Sequence, residues 1–377
     1  MMKDDKYNNT YIGIILSYQC NLNCKYCYIP EKKDLTIPLD VAQNILYPYL
    51  SKKDAEPIEI DFMGAEPLTA FARLKEIVEW AVGQNFSREF FFFATTNGTL
   101  LNDQMKQWFT ENKNAIVLGL SYDGTDNAQN ENRSGSSNRI DLEFFLKTWP
   151  EQAFKCTVSQ YSVHDLADGI IRLGKMGAHI IANPAYENTE WSEEAISEYS
   201  RQLKKIVDYY TEYPDVPVAS LVNYDLIGIC YRKDLEQQPN CGASKGEGIY
   251  DVTGHSYPCQ MLSPLVLSEE KALEIQRIIK ETDSSSYKDK KCADCILKND
   301  CPTCMACNYL SRNDFALRDK THCSLTRLEV LATCLLQKNR LLSKNDHDEY
   351  DAQMANAICE VYKSLQRFDT HLAKTPY

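Results

Sequence analysis

The sequence predicts an α/β protein: a partial, open barrel of six βα units, followed by a cysteine-rich domain and terminal helices. The first reason is alternation. Apolar, β-rich runs at 11–18, 58–63, 89–95, 115–121, 154–159 and 178–182 are separated by stretches with apolar residues at helical spacing, at 40–49, 74–82, 101–109, 142–149 and 166–176. Strands alternating with helices imply parallel pairing, and six units are too few for an eight-unit barrel. The second reason is a change of character. The strand–helix pattern covers about 6–186, and a long polar helix follows at 192–212. After Tyr213 and two nearby prolines the chain turns to short segments with many cysteines. The expected domains are therefore 6–215 for the barrel, 230–325 for the cysteine-rich part, and 326–377 for terminal helices read from the spacing in 325–342 and 350–372.

Composition narrows the function. The 377 residues are 44% hydrophobic and 25% charged, ordinary usage for a chain with a sizeable core. No run approaches the ~18 apolar residues of a membrane span. The start, MMKDDKYNNT, has no apolar signal core, so a cytoplasmic protein with no membrane partner is expected. The net charge of −12 disfavours nucleic acid and suits a small-molecule or peptide substrate. Cysteine is the outlier. Fifteen cysteines without an export signal argue against a disulfide framework. Three lie between Cys20 and Cys27 and nine between Cys230 and Cys323, the clustering that metal ligation needs.

Cys20, Cys24 and Cys27 give C-x3-C-x2-C directly after an apolar strand, within SYQCNLNCKYCYIP. Three thiolates on one loop can hold three irons of a [4Fe–4S] cube and leave the fourth iron open to a substrate. The competing reading is zinc, but structural zinc takes four ligands and paired C-x2-C spacing.

This spacing, with the aromatic Tyr26 before the last cysteine, resembles the signature of radical SAM enzymes. The resemblance implies that the open iron chelates S-adenosylmethionine, whose reductive cleavage gives a 5′-deoxyadenosyl radical that abstracts hydrogen. Other segments resemble the family in order. Gly64-Ala65-Glu66-Pro67 ends the second strand and resembles its G-G-E-P motif, with Ala65 where a second glycine is usual; Glu66 would meet the methionine ammonium. Thr96 and Asn97 end the third strand, and Ser121 and Asp123 the fourth; Arg133 matches an arginine that meets the methionine carboxylate. Read alone, S-x-D-G is as well a turn. Ligands of parallel sheets bind at the carboxyl ends of strands, and these segments all fall there.

The second cysteine field, Cys241-x12-Gly254-x4-Cys259, then Cys292, Cys295, Cys301, Cys304 and Cys323, resembles the SPASM extension of that family. The resemblance implies two auxiliary [4Fe–4S] clusters, hence three in all. Cys292, Cys295, Cys301 and Cys323 would hold the outer one, and Cys241, Cys259 and Cys304 the inner one. Its fourth ligand stays open between Cys307, which shares a loop with Cys304, Cys230, and no protein ligand. Two zinc sites are the alternative for this region. Cys156, Cys334 and Cys359 read as ordinary buried residues.

SPASM enzymes mostly modify peptides or proteins. The expected activity is installing a thioether or carbon–carbon cross-link in a ribosomally made peptide, with a flavodoxin or ferredoxin as electron donor. Only 19 residues precede Cys20, so a separate peptide-recognition protein, or direct binding of the leader, is expected. The alternative is sulfatase maturation to formylglycine, but Gln260 follows Cys259 where that subgroup usually has an aspartate base. A non-catalytic iron–sulfur or zinc protein is the remote alternative.

Overall fold

A computed structural model describes residues 10–53, 55–186, 191–232, 248–282 and 289–366. In chain order the strands are β1 (Tyr11–Ser17), β2 (Ile58–Gly64), β3 (Phe90–Thr96), β4 (Ile116–Leu120), β5 (Phe154–Val158), β6 (Ile180–Pro184), β7 (Ile249–Tyr250) and β8 (Ser256–Tyr257). The helices are α1 (Leu39–Leu50), α2 (Phe71–Gly83), α3 (Asp103–Glu111), α4 (Asp126–Asn132), α5 (Leu142–Thr148), α6 (Leu166–Lys175), α7 (Glu193–Glu212), α8 (Leu226–Tyr231), α9 (Glu269–Glu281), α10 (Met305–Arg312), α11 (Lys320–Leu342) and α12 (Glu349–Gln366). The chain divides into two compact units, the first within Met1–Ser121, Ser136–Ala153 and Gly242–Asp283, the second within Tyr122–Gly135, Phe154–Cys241 and Ser284–Tyr377.

In the first unit, β1 to β4 pair in parallel in the order β4-β3-β2-β1, with Ile14 opposite Phe62 and Phe62 opposite Ala94. Six of the seven residues of β1 are buried, the near-continuous apolar run of a parallel strand covered on both faces. Phe62 and Phe92 stack with ring centroids 5.1 Å apart. Each such buried side chain contributes about 1.5–3 kcal/mol. Helix starts follow side-chain caps: Asn102 accepts from the Met105 amide and Asp141 from the Phe144 amide.

The described sheets do not form one closed barrel. β5 and β6 make a separate parallel pair in the second unit, with Cys156 opposite Ala182. The short hairpin β7–β8, not anticipated from the sequence, instead adds to the free edge of β1, with Gly13 opposite Ile249. Its turn is held by Asp251, whose Oδ1 accepts from the Thr253 and His255 amides, and by Gly254 at φ +85°. Two residues per strand are too few for a period-2 pattern to stand out. In the second unit, α7 packs on α11, and α12 on α8 and α11. Helices α4, α8, α9 and α10 were also not anticipated; three of them are eight residues or shorter, and α9 starts at Ser268, which accepts from the Lys271 amide. No helix among the described residues is long and apolar enough to cross a membrane.

Candidate metal centres

The loop carrying Cys20, Cys24 and Cys27 leaves the carboxyl end of β1 and is tied to the end of β2. The Ala65 amide donates to the Ser17 carbonyl (3.0 Å) and the Glu66 amide to the Gln19 carbonyl (2.9 Å). The Thr69 hydroxyl adds a 2.7 Å bond to the Glu66 carbonyl. This approach requires glycine at position 64. Its φ is +122°, and a Cβ there would lie 2.3 Å from the Ser17 oxygen. Ala65 has no such demand: it packs half-buried, with Cys27 and Tyr28, against Ile15, Tyr18 and Ile29. The methyl group at the family's second glycine position thus has a place in this chain's core.

The three thiols are reduced and half-buried, as is Tyr26. Polar hydrogens face the sulfurs. The Leu22 amide lies 3.4 Å from Cys20 Sγ, and Lys32 Nζ lies 3.6 Å from Cys27 Sγ. The loop turns back through a bond from the Cys27 amide to the Cys24 carbonyl. Burial pushes the Cys20 thiol up, so a bound cation is what would hold it as thiolate. Soft donors, short spacing and N–H groups directed at sulfur suit an iron–sulfur cluster.

Glu66 is 2% exposed and fully engaged between strand ends. One carboxylate oxygen accepts from the Thr96 hydroxyl (2.6 Å) and the Leu68 amide (3.1 Å), the other from the Asn97 amide (2.8 Å). The Asn97 side chain in turn donates to Asn21 in the cysteine loop (3.0 Å), and Asn21 donates to Thr99 (2.7 Å). The structure thus brings Cys20, Cys24, Cys27, Gly64, Ala65, Glu66, Thr96 and Asn97 into one connected set. Ser121 joins its edge, its amide donating to the Thr96 carbonyl (2.8 Å). The sequence reasoning missed Asn21, although an asparagine between two cysteines of the motif is visible.

Asp123 and Arg133 form a second set. Arg133 Nε donates to Asp123 Oδ1 (3.1 Å), which also accepts from the Thr157 amide, while Oδ2 accepts from Asn132. Gly124 follows at φ +95°, its Cα against Gly169 of α6, where any side chain would collide. The chain bends at Gly124, and the aspartate before it pairs with Arg133.

In the cysteine-rich segment, Cys292, Cys295, Cys301 and Cys323 line one cavity of about 630 Å³. Burial pushes the Cys301 thiol up to about 11. Cys304 caps α10, its sulfur accepting from the Cys307 amide (3.5 Å), and Cys307 is buried in the first turn. Both lie near the half-buried Tyr186, whose ring stacks on His322 at 4.2 Å. Cys259 precedes a short helical turn at Gln260–Leu262 in the first unit; Cys241 lies outside the described residues. Cys230 sits on α8 with its thiol donating to the Ala357 carbonyl of α12 (3.7 Å). Cys156 and Cys334 are buried, but Cys359, expected to be buried, is exposed on α12.

Near these cysteines lies a carboxyl that the sequence did not single out. Glu329 of α11 is buried and accepts from the Tyr199 and Tyr224 hydroxyls, each at 2.7 Å. Burial raises its pKa to about 7 despite both donors. A carboxyl with a raised folded-state pKa keeps its proton in the folded protein after the unfolded chain has lost it. Stability therefore falls as pH rises from about 4.5 to 7 and levels off above. Relative to Glu329→Gln, the natural protein is expected to lose about 2 kcal/mol between pH 5.5 and 8. Denaturant unfolding of both proteins across that range measures it; parallel curves would contradict the assignment.

A family model described as a 4Fe-4S single cluster domain matches residues 13–140. The radical SAM cyclopropyl synthase TigE of Paramaledivibacter caminithermalis is 20% identical over 371 residues, covering 90% of this chain and 76% of that protein. A serine-type anaerobic sulfatase-maturating enzyme of Klebsiella aerogenes is 30% identical over 128 residues, 32% of this chain and 31% of that enzyme. The chain thus matches about a third of the latter's length. Among solved structures, anSMEcpe with bound AdoMet superposes with a TM-score of 0.66 at 19% identity, covering 94% of this chain and 99% of that one. Streptococcus suis SuiB bound to its precursor peptide SuiA gives 0.56 at 15% identity, covering 84% and 77%. Residues 13–140 thus resemble a 4Fe-4S single cluster domain, the sequence is similar to that of radical SAM enzymes, and the fold is similar to that of anSMEcpe over nearly the whole chain.

Proposed function

We propose that the protein is an enzyme that cleaves S-adenosylmethionine reductively and uses the resulting radical on a peptide, installing a thioether or carbon–carbon cross-link. The observation that carries this reading is the set of hydrogen bonds joining the Cys20–Cys24–Cys27 loop to Glu66, Thr96 and Asn97 at neighbouring strand ends. When bound, a [4Fe–4S] cluster supplies the electron that splits the sulfonium. The chain's own contribution is positioning. Cys20, Cys24 and Cys27 would hold the cluster, Glu66 would present negative charge to the methionine ammonium, and Arg133 would present positive charge to a carboxylate.

The proposal carries two auxiliary clusters, an outer one on Cys292, Cys295, Cys301 and Cys323 and an inner one on Cys241, Cys259 and Cys304. Cys307 is favoured over Cys230 as the further inner ligand, because Cys230 is directed at the Ala357 carbonyl. A ferredoxin- or flavodoxin-type donor supplies electrons, and a separate protein or the leader itself guides the peptide, in the cytoplasm. TigE, a radical SAM cyclopropyl synthase, is matched along 90% of the chain, more of it than the sulfatase-maturating relatives, and SuiB, whose fold is similar, was solved with a precursor peptide. Sulfatase maturation is the second reading, favoured by the 30% identity around the first motif; Gln260 after Cys259 weighs against it.

The experiment incubates reconstituted protein with S-adenosylmethionine, reductant and either a candidate precursor peptide or a sulfatase-derived peptide. The expected product is a precursor lighter by two hydrogens per bond, with fragmentation blocked between the bridged residues. Conversion of the sulfatase peptide alone would replace the first reading with the second.

A further inference from the structure

The cavity lined by Cys292, Cys295, Cys301 and Cys323 also holds Arg318. Its Nε atom is buried without a hydrogen-bond partner. A buried guanidinium N–H without an acceptor is costly, and arginines in such places normally pair with a carboxylate. The two nearest acids are committed elsewhere. Asp289 accepts from the Lys291 amide (2.9 Å) and from the Arg318 backbone amide (3.2 Å), and Asp319 accepts from the Thr321 amide to start α11 (2.8 Å). Among the described residues no carboxylate forms an ion pair with the Arg318 guanidinium.

The backbone at Arg318 is nevertheless held firmly. Asn313 ends α10 in the left-handed region at φ 54°, Asp314 accepts from the Ala316 and Leu317 amides, and Arg312 Nε donates to the Leu317 carbonyl (2.7 Å). This bracing delivers the residue to the mouth of the cavity. Its guanidinium lines the same cavity as the Cys292, Cys295, Cys301 and Cys323 side chains.

Resting on the reading that these four cysteines hold the outer auxiliary cluster, we propose that Arg318 is a positioning residue for it. Its Nε–H donates to a sulfur of the cluster, inorganic or cysteinyl, and so favours the reduced form. Reduction adds one electron from an external donor and no proton, so the cluster gains one negative charge. A hydrogen bond and a positive charge at its sulfurs stabilise that form and raise its potential. The orphaned N–H then has its acceptor when the cluster is bound.

The test uses reconstituted protein with Cys20, Cys24 and Cys27 replaced by alanine, so that only auxiliary clusters give signals. Dithionite titration followed by electron paramagnetic resonance and an iron count are the readouts. Arg318→Gln is expected to keep its iron and to move one midpoint potential to a more negative value. Arg318→Lys, which keeps the charge, is expected to move it less. An unchanged potential in Arg318→Gln overturns the role of Arg318. Full iron retained in a Cys292→Ser/Cys295→Ser variant overturns the cluster reading and the proposal with it.

Discussion

Replacing Cys20, Cys24 and Cys27 together with alanine is expected to abolish formation of 5′-deoxyadenosine while leaving most of the protein's iron in place. The three thiols sit on one loop in the first unit, and their removal takes away every cysteine proposed to hold that centre. On the proposed reading of three cubes, the natural protein is expected to hold about twelve irons, and the variant about eight. The fold should survive. The loop is anchored through backbone atoms of Ser17 and Gln19 and through the Asn21 side chain, none of which the substitutions touch. Iron analysis with quantification of 5′-deoxyadenosine measures both effects. Cleavage retained by the variant would remove the assignment of this loop.

The second large effect is expected at Glu66. Its carboxylate receives three hydrogen bonds at a site closed to water. Glu66→Ala leaves the Thr96 hydroxyl and the Leu68 and Asn97 amides without that acceptor. Each orphaned buried group costs about 1–3 kcal/mol, so a loss of roughly 3 kcal/mol or more in stability is expected. Glu66→Gln separates structure from binding. It keeps one carbonyl oxygen and the side-chain shape, removes the charge, and leaves at least one of the three donors without its acceptor at a cost of about 1–3 kcal/mol. A charge-assisted hydrogen bond to an ammonium contributes about 1.5–3 kcal/mol, so affinity for S-adenosylmethionine should fall roughly tenfold to a hundredfold while the fold persists. Calorimetric titration of the reconstituted variant measures this. Unchanged affinity would show that Glu66 only staples the strand ends together.

Much of the architecture was legible because its elements are long and strongly patterned. The runs at 11–18, 58–63 and 115–121 became β1, β2 and β4 with ends shifted by one residue at most. Parallel pairing then made the strand ends the expected site, and Glu66, Thr96 and Asn97 are linked there. What escaped were features created by pairing across distance. The hairpin Ile249–Tyr257 adds to β1 because that edge was open, which no local pattern announces. Helix α11 begins at Lys320, before the apolar spacing at 325, because Asp319 caps it. Sequence spacing grouped Cys292, Cys295, Cys301 and Cys323, but not the arginine beside them, since a buried guanidinium looks like any surface arginine until its neighbours are known. Likewise Glu329 is one of many acidic residues, and only the two tyrosines around it make it distinctive.

The most direct test of the central claim is to incubate the anaerobically reconstituted natural protein with S-adenosylmethionine and dithionite, and to quantify 5′-deoxyadenosine and methionine by mass spectrometry. The two products are expected in equal amounts, dependent on reductant and on reconstituted iron. A protein that carries its iron, binds S-adenosylmethionine and yet forms neither product under reduction would contradict the account.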